Sequence, residues 1–130
     1  TMSDSHGLDS GAIHASNSDL YMGDCVVEGN SAGVSGGGIK VDGRSKTELV
    51  QVDIRRNSAL IGAGASVQGG ELYTTGVMFI NNTADTAAGG LHLASTSAVD
   101  MLRSWFYDNV ARGSDGMLLP PEGGAGLIQG

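Results

Sequence analysis

The aspartates and glutamates of this 130-residue chain are the first candidates for catalysis, since carboxylates can act as general acids and bases. Cleavage of a polysaccharide needs two carboxylates roughly 5–9 Å apart, or an acidic calcium site with a basic group beside it. The outward aspartates instead stand at different distances from a repeated asparagine, and no arginine accompanies them at a constant spacing; they are Asp24, Asp53, Asp100 and Asp108. This pattern predicts no catalytic residue and no enzyme, with a polysaccharide lyase or hydrolase as the alternative.

Histidine and cysteine could hold a metal ion, but their spacing argues against a site. His14 and His92 occupy the same position in a repeat, with Lys40 and Ser66 between them. Three stacked coils would separate them by about 14 Å, whereas a metal ligand lies about 2 Å from its ion. We therefore expect surface histidines, no metal site and no cofactor. Cys25, the single cysteine, is expected to be a buried free thiol.

The composition argues against two classes of partner. The formal net charge is −7 and there is no run of Lys or Arg, which disfavours nucleic acid. No apolar stretch approaches the ~20 residues of a membrane helix, so we expect no direct membrane insertion of this segment. The chain begins at Thr1 without a visible signal peptide and ends partway through a repeat. We interpret residues 1–130 as a single segment of a longer protein.

A block consisting of a large apolar residue, two variable positions, Asn, one variable position and Ala recurs four times. Its asparagines are spaced by 27, 25 and 27 residues; they are Asn30, Asn57, Asn82 and Asn109. A period of this size is typical of stacked coils. The amides would then lie in one column, hydrogen-bond from coil to coil and satisfy backbone groups buried at a corner. We expect a structural role for this asparagine column.

A second motif, a small or glycine pair followed by an apolar residue, lies between the asparagine blocks. Its alignment gives two apolar columns: Ile13, Ile39, Ala65, Leu91 and Met117, then Ala15, Val41, Val67, Leu93 and Leu119. The residues between these columns are mostly polar, which predicts strands with one buried face. The predicted outward column consists of His14, Lys40, Ser66, His92 and Leu118.

About three short strands and three corners fit into each ~26-residue coil. A helix is disfavoured because no long window keeps a 3.6-residue period, and a β-sandwich would not repeat residue types at this step. Stacking each coil on the previous one, with strands about 4.8 Å apart, accounts for both motifs. The predicted fold is all-β, a single-stranded parallel β-helix of four to five coils, regular over residues 10 to about 119.

These paired motifs resemble the repeats of the chlamydial polymorphic outer-membrane proteins, which pair Gly-Gly-Ala-Ile with Phe-x-x-Asn. Phe79–Asn82 and Phe106–Asn109 match the second motif in full, whereas Val27 and Ile54 replace phenylalanine in the first two coils. The stretches at 10–13 and 37–39 carry the first motif. The resemblance covers residues 10 to about 119. It implies a right-handed β-helix of the pectin lyase-like fold, displayed as an adhesin on a cell surface.

The outward residues beside the asparagine column change character along the chain. The first two coils mix polar and apolar side chains, and the next two place Met78 and Ile80 against Trp105 and Tyr107. An apolar, aromatic face of this kind is typical of a contact site. We predict that these four residues bind another protein segment or subunit. A carbohydrate stacked on Trp105, a cover from the parent chain and an ordinary surface are the alternatives.

Asn81-Asn82-Thr83 is the only Asn-x-Ser/Thr sequon in the chain. If the protein is eukaryotic and secreted, Asn81 is a glycosylation site, and a glycan there would hinder tight packing on the neighbouring face. Taken together, the repeat and its outer face predict a structural or adhesive segment of a large extracellular or cell-surface protein. Its expected partners are protein segments of a surface assembly, with carbohydrate as the alternative.

Overall fold

The computed structural model describes residues 2–96 and 98–112 and the backbone of residues 126–129. Every regular element in these ranges is a β-strand, and every strand pairing is parallel. Each coil takes about 26 residues and lies on the coil before it, giving about four coils. The predicted fold class, an all-β parallel β-helix, is confirmed.

The strands form three sheets that run along the stack. Sheet A contains β1 (Met2–Ser3), β4 (Leu20–Glu28), β7 (Lys46–Arg55), β10 (Glu71–Thr75), β11 (Met78–Ile80), β14 (Ala98–Leu102) and β15 (Trp105–Tyr107). Sheet B contains β2 (His6–Gly7), β5 (Ser31–Ala32), β8 (Ser58–Ile61), β12 (Thr83–Ala87) and β16 (Val110–Ala111). Sheet C contains β3 (Ile13–Ser16), β6 (Ile39–Asp42), β9 (Ala65–Gln68), β13 (Leu91–Ala94) and β17 (Gly126–Gln129).

The register of sheet C follows the predicted apolar columns through four coils. Ile13 pairs with Ile39, Ile39 with Ala65, and Ala65 with Leu91. The fifth members of these columns, Met117 and Leu119, and Leu118 between them lie outside the described residues. The structure pairs Leu91 with Gly126, so the last coil contains more residues than the 26-residue step predicts.

The stack begins earlier than residue 10, where the regular coils were predicted to start. Met2 pairs with Val27 in sheet A, and His6 pairs with Ser31 in sheet B. Ser5 occupies the position that asparagine fills in the later coils, and its backbone N–H donates to Asn30 Oδ1 at 2.9 Å. The first coil therefore lacks the asparagine motif, although its strands pair with those of the second coil.

The chain changes direction at four corners in each coil, and residues with positive φ stand at these corners, with the first corner before sheet C as an exception. Apart from Gly70, every positive-φ residue of the described chain falls in one of four columns. The column before the asparagines contains Asp4, Gly29, Arg56, Asn81 and Asp108, and the bend within sheet A contains Asp24, Gln51, Gly76 and Arg103. The corner after sheet C contains Asn17, Gly43, Gly69 and Ser95, and the corner before it contains Gly36, Gly62 and Ala88. A left-handed backbone costs an ordinary residue about 1–2 kcal/mol, so the neighbouring coils must hold these corners in place.

The interior is filled by columns of large aliphatic residues from sheets A and C. Val27, Ile54 and Phe79 occupy successive coils of one such column, and all three are fully buried. Phe79 stacks on Phe106 with ring centroids 4.7 Å apart and an interplanar angle of 4°. Sheet B contributes small residues to a separate cluster; they are Ala32, Ala59 and Ala84, with Ala63 from the following corner. The interior at sheet B is therefore filled by small side chains.

The outer column of sheet C is buried, and the prediction of a surface column is wrong for most of it. Lys40, Ser66 and His92 are 8%, 0% and 5% exposed, whereas His14 is exposed. The corner before each strand folds tightly against this column: a Cβ on Gly62 would lie 2.9 Å from the Cβ of His92. Ser66 Oγ lies 3.4 Å from His92 Nδ1 under this cover. His92 is therefore a buried histidine.

Candidate functional site

The four predicted asparagines form one continuous ladder at the corner between sheets A and B. Asn30 Nδ2 donates to Asn57 Oδ1 at 3.1 Å, Asn57 Nδ2 donates to Asn82 Oδ1 at 3.0 Å, and Asn82 Nδ2 donates to Asn109 Oδ1 at 2.8 Å. Each of these oxygens also accepts the backbone N–H of the preceding asparagine, at 3.0, 3.0 and 3.1 Å. The second N–H of each amide donates to a backbone carbonyl of an earlier coil; the acceptors are Met2, Val27, Ile54 and Phe79.

This ladder leaves little capacity for a ligand. Asn30, Asn57 and Asn82 are at most 1% exposed, and both N–H donors of each amide are used within the described chain. A buried polar group without a partner would be costly, so the repeated pairing stabilises the corner. The asparagine column is architectural, and it holds the strands on either side of it in register.

Met78, Ile80, Trp105 and Tyr107 come together on the outer face of sheet A, and we call these four residues the apolar patch. Strand β11 pairs with β15, which places Met78 beside Trp105 and Ile80 beside Tyr107. The four side chains line one shallow apolar groove. Trp105 is 56% exposed and Tyr107 65% exposed, while Met78 and Ile80 are half-buried. Within the described residues, β15 is the outermost strand of this part of sheet A.

A charged cluster borders the apolar patch on the preceding coils. Arg55, which pairs with Ile80 across the ladder, donates from Nε to Glu28 Oε2 at 2.8 Å, and Arg56 binds the same carboxylate. These contacts, with the Arg55 hydrogen bond the largest, hold the pKa of Glu28 below its usual value. The spacing of Asp53, Arg55 and Arg56 in the sequence predicts a surface ion pair among them, and this prediction is wrong. The structure shows Glu28 as the partner instead.

The bend within sheet A brings together polar residues that the sequence keeps at different offsets. Asp24, Asp53 and Arg103 line one open groove, which Trp105 and Met78 border on the side of the apolar patch. The sequence did not predict this groove, because its two aspartates occupy different positions in the coil: Asp24 stands at the bend, and Asp53 lies on the strand after the bend. The glycine at position 76, in step with Asp24, Gln51 and Arg103, was the signal for a backbone bend there.

The histidines take part in separate local contacts. His14 Nε2 lies 2.7 Å from Asp42 Oδ2. A hydrogen bond from the Ser16 side chain and then the one from His14 lower the pKa of Asp42. His6 Nδ1 contacts Ser31 Oγ. Among residues 2–96 and 98–112, no three His, Cys, Asp or Glu side chains come close enough together to hold a metal ion.

Cys25 and Asn81 both lie near the groove and the patch, in different environments. Cys25 is half-buried rather than buried, and its Sγ donates to the Gly23 carbonyl at 2.9 Å. Asn81 follows Ile80 directly at a corner, with φ of 54°, and its side chain is exposed. A glycan attached to Asn81 would therefore start at the edge of the apolar patch.

No known protein-family model, no curated protein and no solved structure matches this chain. Within the part of the chain that the structure describes, no helix is long and apolar enough to cross a membrane.

Proposed function

We propose that this chain is a structural and adhesive segment of a large extracellular or cell-surface protein, and that its apolar patch contacts other protein segments of a surface assembly. The observation that carries this proposal is the exposure of Trp105 and Tyr107, 56% and 65%, directly above half-buried Met78 and Ile80. Large aromatic side chains dominate the energetics of protein contacts, and a contiguous apolar surface in water favours association. The resemblance of the paired motifs to chlamydial polymorphic outer-membrane proteins supports the surface location.

Rigidity is the second property that supports an adhesive role. The stacked Phe79 and Phe106 rings lie directly inside the patch, and the hydrogen bond between Asn82 and Asn109 joins the corners that follow its two strands, so these strands have little freedom to separate. A binding surface that is already ordered loses less conformational entropy when a partner binds. The proposed mechanism is mechanical: a stiff stack presents one apolar face to its partner, without catalysis or a cofactor.

Bead attachment tests this proposal. Beads coated with the protein are placed on surfaces carrying fibronectin, laminin, collagen or a second layer of the same protein, and the beads that remain bound under a fixed detaching force are counted. We expect attachment to at least one of these surfaces above that of albumin-coated beads, and a loss of about tenfold or more in the number of bound beads with Trp105→Ser and Tyr107→Ser combined.

Tyr21→Ser is the matched control, because Tyr21 is 66% exposed on the outer face of another part of sheet A. It should leave attachment unchanged. Equal attachment of wild type and the double variant, or no attachment above albumin on any of the surfaces, would overturn the proposed role of the patch. Release of soluble sugars from a polysaccharide by the purified protein would contradict a purely mechanical function.

A further inference from the structure

The open groove beside the apolar patch runs along the stack across four coils. One wall is the bend column of sheet A, which contributes Asp24, Gln51 and Arg103 with Gly76 between the last two. The other wall is the next outward column, in which Val26 pairs with Asp53, Asp53 with Met78, and Met78 with Trp105. Successive strands lie about 4.8 Å apart, so the groove is about 14 Å long. The groove lies parallel to the stack axis and is long enough for a short linear oligomer.

The polar side chains of this groove are unpartnered within the described chain. Asp24, Asp53 and Arg103 make no salt bridge there, although Arg55 and Arg56, at the other end of the same strands, both pair with Glu28. Gln51 makes no side-chain hydrogen bond among the described residues, and its amide extends along the groove, since a Cβ on Gly76 would lie 2.6 Å from Gln51 Nε2. The groove therefore presents two carboxylates, one amide and one guanidinium whose hydrogen-bonding capacity is unused.

We propose that this groove binds a neutral oligosaccharide lying along the stack, with Trp105 stacking on a sugar ring. A pyranose has one face of C–H groups, which packs on the flat indole surface, and a rim of hydroxyl groups. Planar carboxylate, amide and guanidinium groups can each form two hydrogen bonds with neighbouring hydroxyls. Exposed polar groups next to an aromatic side chain fit this amphipathic ligand better than they fit a purely apolar one.

Charge selects the class of glycan. The groove carries two carboxylates and one guanidinium, which gives it one net negative charge, and the chain as a whole has a net charge of −7. A polymer of uronic acids would be repelled by both, whereas a neutral polymer would not. This site overlaps the apolar patch at Met78 and Trp105. Ile80 and Tyr107 belong to the patch alone, and the charged residues Asp24, Asp53 and Arg103 belong to the groove alone.

Isothermal titration with defined soluble sugars tests the inference. The probes are cellohexaose, laminarihexaose, mannohexaose and chitohexaose, with oligogalacturonate as the acidic counterpart. We expect saturable binding of at least one neutral probe and at least about tenfold weaker binding of oligogalacturonate. Trp105→Ala should weaken the neutral complex about tenfold or more, and Arg103→Ala or Asp53→Asn should weaken it about threefold to tenfold.

Two controls separate this site from the patch and from the fold. Tyr107→Ala changes the apolar patch but not the groove, so it should weaken bead attachment and leave sugar affinity unchanged; Arg103→Ala should do the reverse. Circular dichroism and thermal unfolding establish that each variant keeps its structure. No binding of any neutral probe, equal affinity for oligogalacturonate, or sugar affinity that is unaffected by Trp105→Ala and Arg103→Ala would each overturn the inference. Shortening of the probes during titration would show a hydrolase or lyase instead of a binding groove.

Discussion

Replacement of Asn82 by leucine is the sharpest test of the structure. Leucine has the same branched carbon skeleton as asparagine, with two methyl groups in place of the amide oxygen and nitrogen, so Asn82→Leu removes the hydrogen bonds of the ladder and adds some apolar volume. In the wild-type protein, Asn82 Oδ1 accepts from the backbone N–H and from Nδ2 of Asn57, both at 3.0 Å. Its own Nδ2 donates to the Ile54 carbonyl at 2.9 Å and to Asn109 Oδ1 at 2.8 Å. In the variant, four groups each lose one hydrogen-bond partner: the backbone N–H and Nδ2 of Asn57, the Ile54 carbonyl and Asn109 Oδ1.

The magnitude follows from how many of these groups stay buried. Asn57 is 1% exposed and Ile54 is fully buried, so water cannot replace the lost partners without opening the corner. A buried donor or acceptor left unsatisfied costs about 1–3 kcal/mol. Asn109 Oδ1 keeps the backbone N–H of residue 82 at 3.1 Å, and leucine gains some apolar burial. We therefore expect the free energy of unfolding to fall by roughly 3–5 kcal/mol.

Urea unfolding followed by circular dichroism measures this loss, and Asn30→Leu is the matched control. Asn30 is equally buried, and its loss leaves Asn57 Oδ1 with the backbone N–H of residue 30, as the loss of Asn82 leaves Asn109 Oδ1 with that of residue 82. Its other two partners, the Ser5 N–H and the Met2 carbonyl, lie on the first coil, where water has access. We expect that variant to lose only about 1 kcal/mol. A wild-type urea midpoint for Asn82→Leu, or an equal loss for Asn30→Leu, would refute the reasoning that burial of the ladder sets its contribution.

Three further predictions concern packing and pH. Gly37→Ala should lower the free energy of unfolding by roughly 3 kcal/mol, because its Cβ would lie 2.3 Å from the Ser58 carbonyl oxygen; a urea titration measures this. Phe79→Ala should lower it by about 3–5 kcal/mol in the same assay, because Phe79 is fully buried and stacked on Phe106. The pKa of Asp42 is lower in the folded protein than its ordinary value, so the carboxylate stabilises the fold fully above the ordinary pKa. This stabilisation is lost as the pH falls through the pKa of the folded state. Asp42→Asn should therefore flatten the acid side of a plot of unfolding free energy against pH.

Each of these predictions has a control and an outcome that would contradict it. Gly23→Ala should be nearly neutral, since its Cβ would meet only the Tyr21 side chain, at 3.3 Å; an equal loss from both glycine variants would argue against steric exclusion at Gly37. A loss below about 1 kcal/mol for Phe79→Ala would be incompatible with a rigid, fully packed interior. An Asp42→Asn variant with an unchanged acid limb would show that this carboxylate does not contribute to the pH dependence.

The periodic features of this protein could be predicted from its sequence because repetition places equivalent residues on top of one another. Once Asn57 and Asn82 are recognised as the same position of successive coils, a parallel stack puts one amide directly on the next. The same argument placed Met78 and Ile80 beside Trp105 and Tyr107, since neighbouring coils share a register. The repeat spacing and parallel pairing of successive coils are therefore enough to predict both the fold and the residues of the apolar patch.

Features that depend on the shape of the coil could not be predicted in this way. Alternation of polar and apolar residues marks which side of a strand a residue lies on, but it does not say whether a corner covers that side, as it covers His92. The choice of Glu28 as the partner of Arg55 depends on neighbouring coils, not on nearness in sequence. The sequence by itself thus determined the coil, its ladder and its aromatic face, because these repeat. Only the tertiary structure decided the buried outer column and the groove between Asp24, Asp53 and Arg103, because backbone bends turn residues of different repeat positions toward the same space.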